Sequence, residues 1–401
     1  MALFLAVAGT TGALLAFMEE LEPLVAPALF QAVPPVPHAP PLDSFTLRDR
    51  VLARHPGAVV TQVPLQVEPG RSLRFGLERR DPASGATQPY SEDCDELFVD
   101  PYSGADKGCR RWGAIGQGAV NLFPFLHRLH YTLALGEAGR LSFGIAALIW
   151  TLDCFVGFYL TLPIRTAATQ RQPARGWFAR WRPSWRLRRS GSRHKLTFDL
   201  HRAGGLWIWP LLLVFAWSGV AFNLPQVYDP VMRQIGYLPI AGGIIPPQTG
   251  KGGPGEDMRA AAARGKALMA ATARTADVAI DTEAPASLTY YPRFQIYLLR
   301  FTSTASVSSA SYGDSLILFS ALTGEPLKTV LPRRASLGMG AHAWLEALHF
   351  GAVGGLPYRI VVCLVGLGVT MLSVTGVLLW LKKRSARSRR VRRRSCEPSP
   401  R

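Results

Sequence analysis

Four apolar stretches, at about 2–17, 141–163, 204–224 and 358–381, constrain this 401-residue chain more than any other feature. A helix needs roughly 20 mostly apolar residues to cross a bilayer, so four such stretches fix how the chain is laid out. The first stretch is at the short edge of that range. It lacks the basic start of a signal peptide, and Glu19, Glu20 and Glu22 follow it where a small-residue cleavage site would stand, so it reads as a span. With 48% hydrophobic residues, the whole chain is divided between membrane and water.

The formal net charge of +18 raises nucleic acid as a partner, but its distribution argues against that. Residues 165–202 carry 11 Lys/Arg against one acid, Asp199, and residues 382–401 carry 10 against one acid, Glu397. These stretches hold 21 of the 45 basic and 2 of the 27 acidic residues, which leaves 24 against 25 elsewhere. Both clusters abut apolar stretches, the positive-inside pattern of a membrane protein beside anionic lipid. The layout is a first span at 1–17, an outer module at 18–125, and a second span with a preceding histidine segment at 126–165. A basic cytoplasmic link at 166–200, a third span at 201–224 and a second outer module at 225–335 follow. An amphipathic segment with the fourth span at 336–381 and a basic tail at 382–401 complete it, with both termini cytoplasmic.

The two halves repeat. "LHYTLALGEAGR" (129–140) and "LHFGAVGGLPYR" (348–359) each precede an apolar stretch, and an offset of 219 carries His349 onto His130, Arg359 onto Arg140 and Gly376 onto Gly157. "LFVDPYSG" (97–104) matches "ILFSALTG" (317–324) at an offset of 220, each a strand entering a turn that ends in glycine. Upstream of each turn lies a helical stretch, "FTLRDRVLARHPG" or "EDMRAAAARGKALMAATAR", and then alternating stretches such as "RSLRFGLER" and "RFQIYLLRF". Each outer segment reads as a small α+β module with one helix and three or four antiparallel strands. "TTGALLAF" (10–17) resembles "WSGVAF" (217–222) at an offset of 207, so the equivalent of His201 falls at position −6, before Met1. Either the natural chain starts earlier or this site is lost.

Cys154 and Cys363 sit in spans as small apolar packers. Cys94 and Cys109 share the first outer segment and either form a disulfide in an oxidising compartment or stay as thiols. No CxxC or CxxCH occurs, so nothing supports a zinc knuckle or a covalently attached haem.

Of eight histidines, His127, His130, His201, His342 and His349 stand at span mouths. Equivalent histidines on two pseudo-symmetric helices suit haem iron, one axial ligand from each helix. His130 and His349 make such a pair near the outer surface, and His201 belongs to a second, inner site, giving two haem b sites. Glycines such as Gly157, Gly219, Gly366, Gly368 and Gly376 allow close approach of helices or of a flat ring. His127 and His342 align with Glu346 and Phe123 and are further candidates, as ligands or as groups behind them. Arg140 and Arg359 either snorkel at the interface or pair with haem propionates. Asp153, inside the second span, is a proton relay or a partner across the bundle, and it does not recur in the other half. No phosphate-binding loop, nucleophile elbow, HExxH or dinucleotide fingerprint occurs. Electrons therefore come from a quinol, a separate reductase or a soluble donor.

"LHYTLALGEAGR", "LHRAGGLWIWPLLLVFAWSGVAF" and "LHFGAVGGLPYRIVVCLVGLGVTMLSVTGVLLWL" resemble the PepSY-associated transmembrane helix family of bacterial inner-membrane proteins. "VDPYSG" and "SALTGEPL" resemble the strand-turn of PepSY domains. The resemblance implies a membrane α-helical fold, four transmembrane helices as two pseudo-symmetric pairs with two periplasmic α+β PepSY-like modules. It also implies an iron-regulated, haem-containing reductase of ferric siderophores or other ferric chelates. The family's span-1 histidine motif is absent, which puts the inner haem in doubt. PepSY modules are also implied to bind peptides, restrain proteases or serve as sensors, and in that reading the histidines are structural.

Overall fold

The protein is described from a computed structural model covering residues 1–81, 87–163, 176–188, 192–239, 257–277, 284–292, 294–301, 315–331 and 336–395. Parts of the expected basic link (164–175 and 189–191) and the end of the tail with Cys396 lie outside the described residues. In chain order the described helices are α1 (Ala2–Leu15), α2 (Met18–Val25), α3 (Pro27–Phe30), α4 (Ser44–Arg54), α5 (Leu122–Thr132), α6 (Gly136–Thr161) and α7 (Trp177–Trp181). They continue with α8 (Arg193–Trp207), α9 (Trp209–Asn223), α10 (Pro225–Arg233), α11 (Met258–Ala276), α12 (Leu337–His349) and α13 (Gly355–Ser395). The strands are β1 (Ala58–Val59), β2 (Gln62–Pro64), β3 (Leu73–Gly76), β4 (Glu78–Arg80), β5 (Thr87–Pro89), β6 (Glu96–Val99) and β7 (Asp106–Arg110), then β8 (Pro285–Tyr291), β9 (Ile296–Phe301), β10 (Ser315–Ser320) and β11 (Pro326–Val330).

The chain divides into two compact units. The helical unit comprises Met1–Ala16, Arg128–Val227 and Leu356–Arg401. In it α6 and the Gly355–Ala386 part of α13 are each long and apolar enough to cross a membrane. The pairs α1 with α2 and α8 with α9 qualify only if each bent pair is one span, so the chain has two to four candidate spans. Glycines set how closely these helices approach. A Cβ on Gly9 of α1 would lie 2.5 Å from the Gly366 carbonyl of α13, and one on Gly366 would lie 2.7 Å from the Gly9 carbonyl. The hydroxyls of Thr10 and Thr370 meet beside this crossing at 3.1 Å. On the other side of the unit, Gly219 of α9 faces Ala147 of α6, and Gly144 leaves room for Asn223 and Leu224. Asp199, the single acid of its basic stretch, is fully buried between Arg188 (2.8 Å) and Arg202 (3.0 Å).

The sheet-bearing unit comprises Phe17–His127 and Tyr228–Gly355. The two outer segments, expected as two separate modules, share one core here. Leu47, Val51, Val63, Phe75 and Leu97 of the first pack with Met269, Leu288, Tyr297, Leu299 and Phe319 of the second. Where one helix and three or four antiparallel strands are expected, the described residues of the second segment have two helices, α10 and α11, and four antiparallel strands, and the sheet gains a fifth strand from the first segment, in the order β11-β10-β9-β8-β2. β2 has three residues and supplies the fully buried Val63. A strand this short is not stable by itself, and pairing with β8 gives it a ladder and a core. The remaining strands of the first segment form two three-stranded sheets, β1-β4-β5 and β3-β6-β7. A disulfide joins Cys94 to Cys109, with Cα atoms 5.5 Å apart. The matched turns behave as the sequence implies: Gly104 and Gly324 adopt φ of 74° and 73°. Each also packs on an arginine of its own helix, Arg50 or Arg264.

Arg110 ties the residues after α1 to this unit. Its side chain is fully buried, 2.7 Å from Glu22 and 2.6 Å from Glu96, and it donates to the Val120 carbonyl at 2.7 Å. The Phe30 and Phe98 rings flank its guanidinium at 5.8 and 5.2 Å. Burial holds the Glu22 carboxyl above its usual range, and Arg110 only partly opposes that rise. Breaking a buried ion pair on one side costs about 3–5 kcal/mol because the remaining charge stays desolvated. Arg110→Met is therefore expected to lower the urea midpoint of the tryptophan signal, and adding Glu22→Leu to recover part of the loss. A variant that unfolds at the wild-type midpoint would show that this cluster carries no stability.

Candidate functional site

His130 stands in the last turn of the amphipathic α5 and is seated on α1. Its Nδ1 is 3.0 Å from Thr11 Oγ1. The Thr11 hydroxyl donates its own proton to the Val7 carbonyl at 2.7 Å, so toward the imidazole it accepts. Nδ1 is thus the protonated nitrogen, and Nε2 carries the lone pair. The next residue, Gly12, makes the seat: a Cβ there would lie 2.9 Å from His130 Cε1. Just past the histidine the chain turns sharply into α6 through Leu133 and Ala134, at φ of 52° and 56°. Non-glycine residues adopt that region at a cost of order 1–3 kcal/mol each. Gly139 allows the turn, because a Cβ there would overlap the Thr132 carbonyl at 1.7 Å.

His201, in the middle of α8, is seated on α13 by the same means. Its Nδ1 lies 3.1 Å from the Leu372 carbonyl and 3.1 Å from Thr375 Oγ1. A carbonyl can only accept, and the Thr375 hydroxyl donates to the Met371 carbonyl at 2.8 Å. Nδ1 again carries the proton and Nε2 the lone pair. A Cβ on Gly376 would lie 3.3 Å from His201 Cε1. Both rings are therefore held by a Thr-Gly pair on a neighbouring helix. Sequence reasoning singled out Gly376 and missed both threonines, although "TTG" and "VTG" stand in the phrases compared.

The other candidates are placed as follows. His349 is the last residue of α12, with its ring 5.5 Å from that of Phe350. His127 packs edge-on against Trp112 at 5.3 Å, and burial holds its imidazole below the usual range. Arg140 pairs with Glu137 at 2.7 Å and donates to the Asn223 carbonyl at 2.8 Å. Arg359 lies in the first turns of α13, and Asp153 sits on an exposed face of α6. His342 lies between α10 and the next turn of α12. Its Nδ1 is 2.9 Å from the Tyr228 hydroxyl of α10, and its Nε2 is 3.4 Å from Glu346 one turn along α12. The Tyr237 ring closes over the imidazole at 4.6 Å. Burial sets the charges of the cluster: Glu346 is pushed up to about 7, His342 down to about 4 and the Tyr237 phenol up to about 12.

Among the described residues, no three His, Cys, Asp or Glu side chains converge as a group able to hold a metal ion.

A unit of long apolar helices with a separate sheet-bearing unit defines a membrane protein with a large polar domain. The chain belongs to the family described as the PepSY-associated TM region, whose profile matches residues 1–383. It is also similar to the uncharacterized protein PA4219 of Pseudomonas aeruginosa (PAO1), at 26% identity over 290 residues, 67% of this chain and 65% of that protein. The chain thus spans just under two thirds of that relative's length.

The elevated Glu346 carboxyl has a consequence for stability. An acid whose folded pKa lies above its unfolded value adds stability below the unfolded value, and that stability is lost as pH rises through the folded one. The window runs from 4.5 to about 7. Thermal midpoints of the wild type should fall as pH rises across it, and Glu346→Gln should remove that part of the fall. Parallel pH profiles for the two proteins would refute the assignment.

Proposed function

We propose that this protein is a haem-b electron-transfer protein of the bacterial inner membrane. It reduces a ferric siderophore or another ferric chelate on the periplasmic side, for iron uptake. The observation that carries this reading is the common build of the His130 and His201 seats. An imidazole that gives its Nδ1–H to an acceptor presents the Nε2 lone pair in one fixed direction, the form in which histidine ligates a metal. Gly12 and Gly376 leave room for the Cε1 of each ring, where a Cβ would crowd it. The residues present therefore fit the group. His130, His349 and His201 are the proposed axial ligands, with Arg140 and Arg359 as partners for propionates.

Bound haem would supply one-electron carriers within the roughly 30 Å hydrocarbon core. The chain's own residues orient the imidazoles and keep their Nδ1 protons in place. Reduction of the chelate weakens it, because hard oxygen ligands favour the more highly charged iron. Electrons enter from a quinol or a separate reductase. In this reading the spans number four, paired as α1 with α13 and α6 with α9. The crossings support that pairing, since Gly366 and Ala147 stand at equivalent positions of the repeat. The basic link and tail face the cytoplasm, and residues 18–125 and 225–335 face the periplasm.

The test is a visible spectrum of the detergent-purified protein, oxidised and dithionite-reduced, after expression with ample haem. A sharp reduced α-band is expected. His130→Ala and His201→Ala should each remove part of the bound haem. Thr11→Val and Thr375→Val should retain histidine but weaken haem retention by roughly 10–100-fold, the usual effect of removing a ligand's orienting partner. A featureless wild-type spectrum would sink the proposal and favour a non-enzymatic peptide-binding, protease-restraining or sensory role.

A further inference from the structure

A second cluster of titratable groups in the sheet-bearing unit spans α10 and α12. Tyr228 and Tyr237 come from α10 and the turn after it, and His342 and Glu346 from α12. The two elements are latched together. The Ser336 hydroxyl donates to the Gly236 carbonyl at 2.5 Å, and a Cβ on Gly338 would lie 2.4 Å from the Tyr237 nitrogen. Within the latch, the Tyr228 hydroxyl, the His342 ring and the Glu346 carboxyl form a line with separations of 2.9 and 3.4 Å. Tyr228 is 1% exposed, and the His342 and Glu346 side chains are 20% and 14% exposed. The line is therefore shielded at the phenol, while water reaches both the imidazole and the carboxyl at its other end. The offsets of the repeat put Leu21, Phe123 and His127 at the positions of Tyr228, His342 and Glu346. The same scaffold in the first half thus does without the relay chemistry, so packing does not require it.

We propose that Tyr228, His342 and Glu346 form a proton-exchange site, in which one proton taken up at Glu346 exchanges the tautomer of the His342 ring and reverses its hydrogen bond with Tyr228. With Glu346 ionised, His342 carries its proton on Nε2 facing the carboxylate, and the Tyr228 hydroxyl donates to Nδ1. When Glu346 gains a proton from water, the carboxylic acid faces an unprotonated Nε2. The imidazole then carries its proton on Nδ1, and the Tyr228 oxygen accepts it. The balance is one proton gained from solvent, one tautomer exchanged and one phenol turned from donor to acceptor, with no heavy atom required to leave its place. The other charged groups facing this line are Asp229 and Arg233 of α10, which act on the Tyr237 phenol. The site delivers or accepts protons for chemistry in this unit, and it does not depend on whether the chain carries haem.

The experiment is infrared difference spectroscopy of the full chain in detergent, with 13C-glutamate labelling, from about pH 5.5 to 8.5, a range that brackets the elevated carboxyl. A protonated-carboxyl band is expected to grow as pH falls through about 7 and to be absent in Glu346→Gln. The phenol C–O band of Tyr228, identified by its loss in Tyr228→Phe, should shift across the same pH range. In His342→Phe the carboxyl band should persist, while the phenol band stops responding to pH. A Glu346 carboxyl that remains ionised throughout would overturn the proposal. So would a phenol band that ignores pH in the wild type, or one that still follows it in His342→Phe. Recording the spectra with and without added haem separates this outcome from that of the electron-transfer reading.

Discussion

An imidazole within a membrane-spanning unit must find an acceptor for its N–H inside the protein, because lipid offers none. Here threonines provide it. A threonine in a helix commonly returns its hydroxyl proton to the carbonyl four residues back, as Thr11 does to Val7 and Thr375 to Met371. That internal bond spends the only proton of the hydroxyl and leaves its lone pairs facing outward. An ordinary feature of helix chemistry thus becomes a fixed acceptor, and a fixed acceptor selects one tautomer. The following glycine lets the ring come close enough to use it. Helix approach, ring orientation and the proposed ligand role all rest on this arrangement.

The sheet-bearing unit meets a different constraint. The first outer segment makes strands of two to five residues, too short to bury a core by themselves. It gains stability by lending β2 to the neighbouring sheet, and through the disulfide between Cys94 and Cys109. The buried Arg110 adds a polar knot between Glu22 and Glu96. A cation shielded in this way holds the segment after α1 in one place. Any slip would leave a desolvated charge without its partner.

Much of this was legible in the sequence, and the reason is that it is one-dimensional. The lengths of apolar runs, the register of His130 with His349, and the glycine-ended turns at Gly104 and Gly324 can all be read along the chain. The lending of β2 could not be read, because three residues give no period and the partner lies more than two hundred positions away. The disulfide stayed open because only the pairing of β6 with β7 fixes where Cys109 falls. Thr11 and Thr375 went unremarked because helical threonines are common and only their neighbours give them a role. Arg140 beside Glu137 is readable along the chain as an i,i+3 pair.

The Tyr228–His342–Glu346 line was hidden for a more general reason. Reasoning from a repeat rewards residues that recur, and these do not. A duplicated scaffold starts with two equivalent halves, and one of them can change its chemistry while the other preserves the packing. Leu21 and Phe123 hold positions where the second half has a phenol and an imidazole, and Phe123 is buried. Burying a phenol and an imidazole where apolar groups suffice, with a carboxyl beside them, costs desolvation, which appears as the elevated Glu346 and depressed His342 pKa values. Such a cost is tolerated where the groups do something that packing alone cannot. The same histidine that recurs across the repeat marks what the two halves share, and the acid and phenol that do not recur mark where they differ.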